Sequence, residues 1–224
     1  MGYESILLDI ETQRDFFAPG GSCYRRSASR AARHVYELFQ WARANCIPVL
    51  STVLRVRRFE RGPLSAIAHC IEGTNGEQKL PRTILRSRIN LGLRNITDLP
   101  RDIFENHQQV IIEKRHTDVF LHARAERLIT QLRTGTFFIC GAGLARGVVQ
   151  AAIGLRSRGF AVIVAQDATL DLHDRFAKMA HLRMEAKGVV FAPTQNIVVP
   201  RPEQRIVTVP WASGSPKPGL FTKH

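Results

Sequence analysis

The sequence predicts a single α/β domain built on a parallel sheet. Short β-branched runs alternate with longer amphipathic stretches, 224 residues suit one domain, and the apolar residues, 44% of the total, are spread along the chain. Residues 1–212 read as that domain. Residues 213–224, rich in Ser, Gly, Lys and Pro, read as a flexible tail.

Residues 5–10 read as the first strand, 29–45 as a helix and 47–52 as the next strand, a βαβ rhythm that makes the strands parallel. The helix rests on Ala32, Val35, Leu38, Phe39 and Ala42 at three- and four-residue spacing, closed by Asn45 and by Pro48 beyond it. Residues 55–98 hold proline, glycine and charge in place of periodicity. They form a long excursion of the kind that tends to carry function. Regular structure resumes with a strand at 110–113, a helix at 118–132 and a strand at 137–140. A helix at 146–158, a strand at 161–165, a last helix at 173–187 with Gly188 at its end, and an edge strand at 189–191 complete the pattern.

Composition narrows the function classes. The formal charge of +13 comes mainly from arginine, clustered at 25–33 and 55–61, and such a field attracts anions in general. Nucleic-acid-binding domains interleave basic residues with exposed aromatics or fit a known module; neither is visible, so a solvated basic surface is the reading and nucleic acid is not an expected partner. No apolar run reaches the roughly 18–20 residues that span a bilayer, and residues 1–9 lack a basic flank and a cleavage site, so no membrane partner and a cytoplasmic location are expected. The four cysteines never form a C-x-x-C pair, which argues against a zinc knuckle or a disulfide framework.

In an open parallel sheet, ligands bind beyond the carboxyl ends of the strands. The first strand runs into Glu11, Gln13, Asp15 and Phe16; the strand at 110–113 runs into Lys114, Arg115 and His116; the strand at 137–140 runs into the glycine-rich stretch Gly141 to Gly147. A carboxylate, a lysine and a glycine-rich helix start from three strands would converge at one end of the sheet, which is an active-site layout. Taken singly, Glu11 reads as a turn residue and Lys114 as half of a solvated ion pair.

Five ordered segments resemble the isochorismatase-like cysteine hydrolases, which include the nicotinamidases. Glu11-Thr-Gln13-Arg-Asp15-Phe16 followed by Pro19-Gly20-Gly21 is similar to the family's D-x-Q-x-D-F and P-G-G. His69-Cys-Ile-Glu-Gly-Thr74-Asn-Gly76 is similar to its H-C-x-x-G-T-x-G, and Lys114 to Phe120 to its K-x-x-x-S-x-F. Asp167-Ala168 and the helix from His181 to Gly188 follow in kind and order, so that the resemblance covers roughly residues 5–195.

The resemblance implies a three-layer α/β/α fold, mostly parallel, with helices on both faces. It also implies a cysteine nucleophile, an aspartate base and a lysine that stabilises the ionic pair. Those roles fall on Gly147, Glu11 and Lys114, and only the lysine is unchanged; the family's G-x-x-T-D-x-C-V reads Gly141-Ala-Gly-Leu-Ala-Arg-Gly147-Val148. The expectation is a catalytically silent relative whose remnant pocket takes a small anionic or carbonyl ligand. Gly143, Arg146, Gln13 and Phe16 would be its ligand-binding positions, and the amides of Gly143 and Gly147 the remnant of an oxyanion hole.

The nicotinamidase metal site needs an Asp-x-His pair and a second histidine. Here residues 53–57 offer no such pair, so only His69 survives, and no metal or other cofactor is expected. Relatives often form dimers or rings, which makes a homo-oligomer the expectation. Three alternatives stay open: a working hydrolase using Glu11, Lys114 and water or a thiol from Cys23, Cys70 or Cys140; a dinucleotide fingerprint at Gly141, Gly143 and Gly147 with Asp167; and nucleic-acid binding through the arginine clusters.

Overall fold

Seven parallel strands form one sheet in the computed structural model, which describes residues 2–171 and 174–199 apart from the side chains of Pro63, Asp174 and Arg175. The strands are β1 (Gly2–Ile10), β2 (Val49–Leu54), β3 (Arg88–Asn90), β4 (Gln109–Lys114), β5 (Arg133–Ala142), β6 (Ala161–Leu170) and β7 (Val190–Ala192). Their spatial order is β3-β4-β2-β1-β5-β6-β7, and every pairing is parallel. The helices are α1 (Arg14–Phe17), α2 (Arg26–Ala44), α3 (Ile103–Asn106), α4 (Ala123–Gln131), α5 (Val149–Ser157) and α6 (Asp174–Ala186). The expected tail at 213–224 lies outside the described residues.

Side chains alternate along a strand, so the central strands feed two cores. Leu7 of β1 joins Val35, Leu38 and Phe39 of α2 on one face, together with Cys140 of β5. Ile6, Leu8 and Ile10 join Leu128 of α4, Leu155 of α5 and Met184 of α6 on the other. The sheet is thus covered on both sides, in the three layers the resemblance implies.

Several elements differ from their sequence-based bounds for identifiable reasons. β5 is ten residues long where 137–140 is expected, because it pairs with β1 from Gly2↔Arg133 to Ile10↔Gly141. The excursion at 55–98 carries a strand after all: β3 adds to the edge of β4 over three residues, with Ile89 beside Val110. The helix expected at 118–132 is split. Val119–Leu121 form a 3₁₀ turn capped by the Asp118 side chain, which accepts from the Phe120 amide, and the extended backbone of His122 separates that turn from α4. The helix expected from Arg146 opens earlier, as a π-helical turn over Leu144–Val148. Gly143 precedes it at φ 78°, a left-handed conformation that favours glycine and that turns the chain sharply off β5. No helix among the described residues is long and apolar enough to cross a membrane.

Candidate functional site

The site lies where β1, β4 and β5 end. Glu11 leaves β1 with φ 52°, a backbone conformation that costs a non-glycine residue on the order of 1–3 kcal/mol, and its amide is held by the Thr52 carbonyl at 3.1 Å. This bend carries the Glu11 carboxylate across β2 to Lys114, the last residue of β4. The Lys114 ammonium donates to Glu11 Oε1, to the His116 carbonyl at 2.8 Å and to the Thr117 carbonyl at 3.1 Å, which uses all three of its protons. Glu11 is 4% exposed and Lys114 1%.

Gly147 completes the group from the turn after β5. A Cβ at this position would stand 3.4 Å from Glu11 Oε1, 3.4 Å from the Thr117 carbonyl and 3.0 Å from Ile10 Cγ2. The three positions singled out in the sequence therefore meet, with the missing side chain of residue 147 aimed at the carboxylate of Glu11. The first two share a buried ion pair, and the third supplies no reactive atom.

The native thiols near the site are not poised to replace it. Burial pushes the Cys70 thiol far up, with the carboxylates of Glu11 and Asp15 raising it further. Burial also holds Cys140 well above the usual thiol range, on the face of β5 that packs with α2. The Cys23 thiol is raised by its half-buried position. A nucleophilic cysteine needs a stabilised thiolate, and these environments oppose one.

The expected ligand positions divide. Arg146 lines two open clefts, one of about 420 Å³ with Cys23, Arg25 and His69, the other of about 710 Å³ with His116, Thr117, Ala145 and Arg183. Neither cleft is lined by Glu11, Lys114 or Gly147, so the ion pair sits behind the wall of the larger cleft, with Thr117 between. Gln13 ties backbone together: its Oε1 accepts from the Leu54 amide at 2.8 Å, and its Nε2 donates to the carbonyls of Leu54 at 2.9 Å and Glu77 at 2.7 Å. Phe16 is fully buried and meets the His69 ring edge-on at 4.8 Å. The Gly143 amide donates to the Leu170 carbonyl at 2.9 Å and so is not available to an oxyanion.

The acidic residue of the dinucleotide fingerprint has a structural task as well. Asp167 Oδ1 accepts from the Thr194 amide at 2.8 Å and the Thr194 hydroxyl at 2.7 Å, which anchors the chain after β7. Among the described residues, no group of three or more His, Cys, Asp and Glu side chains could hold a metal ion.

Two features are not legible in the sequence. Asp15 is the clasp of the mouth: its carboxylate accepts from the amides of Ser22 at 3.0 Å and Cys70 at 2.6 Å, and so binds the segment after α1 to the His69–Gly76 segment. Gly76 lies so close that an added Cβ would fall 2.1 Å from Asp15 Oδ1, which explains why glycine stands there. The second feature is a buried pair under the sheet's end, where Asp9 Oδ2 accepts from Lys79 and from Ser51 at 2.8 Å. Cys70 and Lys79 come from the excursion and Ser51 from β2, and local spacing does not place them beside Asp15 and Asp9.

Comparison with known proteins agrees with this architecture. Residues 95–196 match the family model described as the Isochorismatase domain. No curated protein matches. Among solved structures, a nicotinamidase/pyrazinamidase from Bacillus subtilis is 18% identical, with a TM-score of 0.66 over 85% of this chain and 100% of its own. An N-carbamoylsarcosine amidase from Thermoplasma acidophilum is 14% identical, with a TM-score of 0.65 over 86% of this chain and 97% of its own. A ribonuclease from Caenorhabditis elegans is 16% identical, with a TM-score of 0.59 over 87% of this chain and 79% of its own. At these identities the likeness is one of fold.

Proposed function

From the match of residues 95–196 to the Isochorismatase domain model, we propose that the chain is a hydrolase-type scaffold without a nucleophile, one that holds a small anionic or carbonyl ligand and leaves it intact. The observation that carries the reading is the geometry at Gly147. The position that would present a thiol to the Glu11–Lys114 pair is a glycine, where an added Cβ would stand 3.4 Å from the carboxylate, and burial raises the pKa of the Cys70 and Cys140 thiols.

Covalent catalysis divides one difficult step into two easier ones, and without an attacking atom that division is lost. A water-based route is disfavoured by the same geometry, because Glu11 is closed to solvent and already accepts from Lys114. What the site keeps is positive potential. Arg146 projects from the turn that opens α5 into both clefts, and the amino end of that helix adds a partial positive charge. The anion would rest there, outside the ion pair.

The nematode ribonuclease lends this chain its fold and no substrate. The amides acted on by the other neighbours supply a test panel. Wild-type protein should leave nicotinamide, pyrazinamide and N-carbamoylsarcosine intact, yet bind an aromatic carboxylate in calorimetry with an affinity that falls about tenfold in Arg146→Ala, the scale of one charge-assisted contact. Turnover by wild type that disappears in Lys114→Ala would overturn the proposal in favour of a working hydrolase.

A further inference from the structure

The excursion between β2 and β4 forms a surface that the proposed ligand site does not use. Beyond Arg55 and Val56, which follow β2, residues 57–61 read Arg57-Arg58-Phe59-Glu60-Arg61. Glu60 closes this stretch into a turn: its carboxylate accepts from the Arg57 amide at 3.1 Å and from the Arg61 amide at 3.2 Å, and lies 3.6 Å from the Arg115 guanidinium. At the tip Phe59 is 88% exposed, the most exposed large apolar side chain among the described residues.

A fully solvated phenyl ring has no packing role, and here three arginines flank it. Arg57, Arg58 and Arg61 are exposed, and none forms an ion pair among the described residues; the turn's one acidic side chain is already engaged by backbone. The chain then runs on to the two clefts. Five residues beyond Phe59, Leu64 and then Ala66 line the larger cleft, Ala66 and His69 line the smaller one, and Arg25, Arg146 and Arg183 face these clefts. The sequence alone sets nucleic acid aside for want of an exposed aromatic among the basic residues; the structure supplies one.

We propose that the 57–61 turn binds single-stranded nucleic acid, with a base stacked on Phe59 and the adjoining phosphates on Arg57, Arg58 and Arg61. A phenyl ring offers a flat apolar face to any base, and guanidiniums pair with phosphate oxygens bidentately. A duplex hides its base faces in the stack, so a lone projecting ring with flanking arginines suits an unpaired strand. The site does not depend on what occupies residue 147.

The test is fluorescence anisotropy of the full chain with a 12-residue oligouridylate, the matching oligothymidylate, and a duplex of the same length, over a range of salt. The expected result is preferential binding of single strands that weakens about tenfold in Phe59→Ala and recovers in Phe59→Trp. Arg58→Ala combined with Arg61→Ala should lower the salt slope by about 1.4, roughly 0.7 for each phosphate no longer neutralised. Arg133→Ala, which removes one exposed charge at the opposite end of the sheet, serves as the control and should change little. RNA binding stronger than DNA would assign the 2′-hydroxyl a part; equal binding would assign the site to the base and phosphate alone. No retention of either single strand at low salt, duplex bound as tightly as single strand, or Phe59→Ala indistinguishable from Arg133→Ala would each overturn the proposal.

Discussion

Removing Lys114 should destabilise this protein far more than removing an ordinary surface lysine, and its loss should not add fully to that of substituting its partner Glu11. The ammonium is 1% exposed and donates to one carboxylate and two carbonyls, while its partner Glu11 is 4% exposed. Lys114→Met keeps the volume but leaves a buried carboxylate without its cation, and breaking such a pair from one side costs about 3–5 kcal/mol. For a chain of this length each kcal/mol moves the melting temperature by about 2–4 °C, so a fall of roughly 10 °C is expected. Glu11→Gln should cost somewhat less, because its amide oxygen can still accept from the ammonium. In the double variant no uncompensated charge remains, and the loss should be smaller than the sum of the two by at least about 1–2 kcal/mol. Urea unfolding of the four proteins measures the cycle. Additive losses, or a Lys114→Met effect under about 1 kcal/mol, would refute the view that the two groups form one buried unit.

Gly76→Ala should be severe, at least about 3 kcal/mol, because the new methyl would overlap the Asp15 carboxylate that clasps Ser22 and Cys70; a melting temperature within about 2 °C of wild type would contradict that packing. Gly147→Ala should cost only about 1 kcal/mol, since its contacts of 3.0–3.4 Å ask Ile10 to yield slightly, and thermal unfolding decides whether that margin exists. The buried thiols give a pH signature. Folding raises the Cys70 and Cys140 pKa values above the ordinary value near 9, so below pH 9 both states keep the protons; above it the unfolded chain releases them while the folded protein does not. Stability should therefore fall with rising pH above about 9, by roughly 1.4 kcal/mol per unit for each thiol, and the slope should flatten in Cys70→Ala with Cys140→Ala. An unchanged slope between about pH 9 and 10.5 would place those thiols in solvent.

The central rhythm and the meeting of Glu11, Lys114 and Gly147 were legible because each depends on strand order and on what ends each strand, both of which local patterns carry. The parts that stayed hidden depend on partners distant in sequence. The Gly143 amide reads as a free donor until β6 is seen to run on to Leu170, whose carbonyl takes it. Gln13 and Phe16 stand in a motif that looks like a binding loop, yet one pins Leu54 and the other fills the core. β3 escaped because three residues, Arg88, Ile89 and Asn90, show no period of their own and become a strand only by pairing with β4. Phe59 was legible as an aromatic among arginines but not as an exposed one, since exposure follows from how Glu60 folds the turn.

Alkylation of Gly147→Cys by iodoacetamide at neutral pH, with peptide mapping beside the wild type, tests most directly whether residue 147 is the position that presents a reactive thiol to the Glu11–Lys114 pair. The expected map shows residue 147 modified ahead of Cys70 and Cys140, with no modification at the latter two in either protein. A map in which residue 147 stays unmodified while Cys70 or Cys140 reacts in the wild type would contradict it, by showing that a native thiol and not residue 147 is the reactive one.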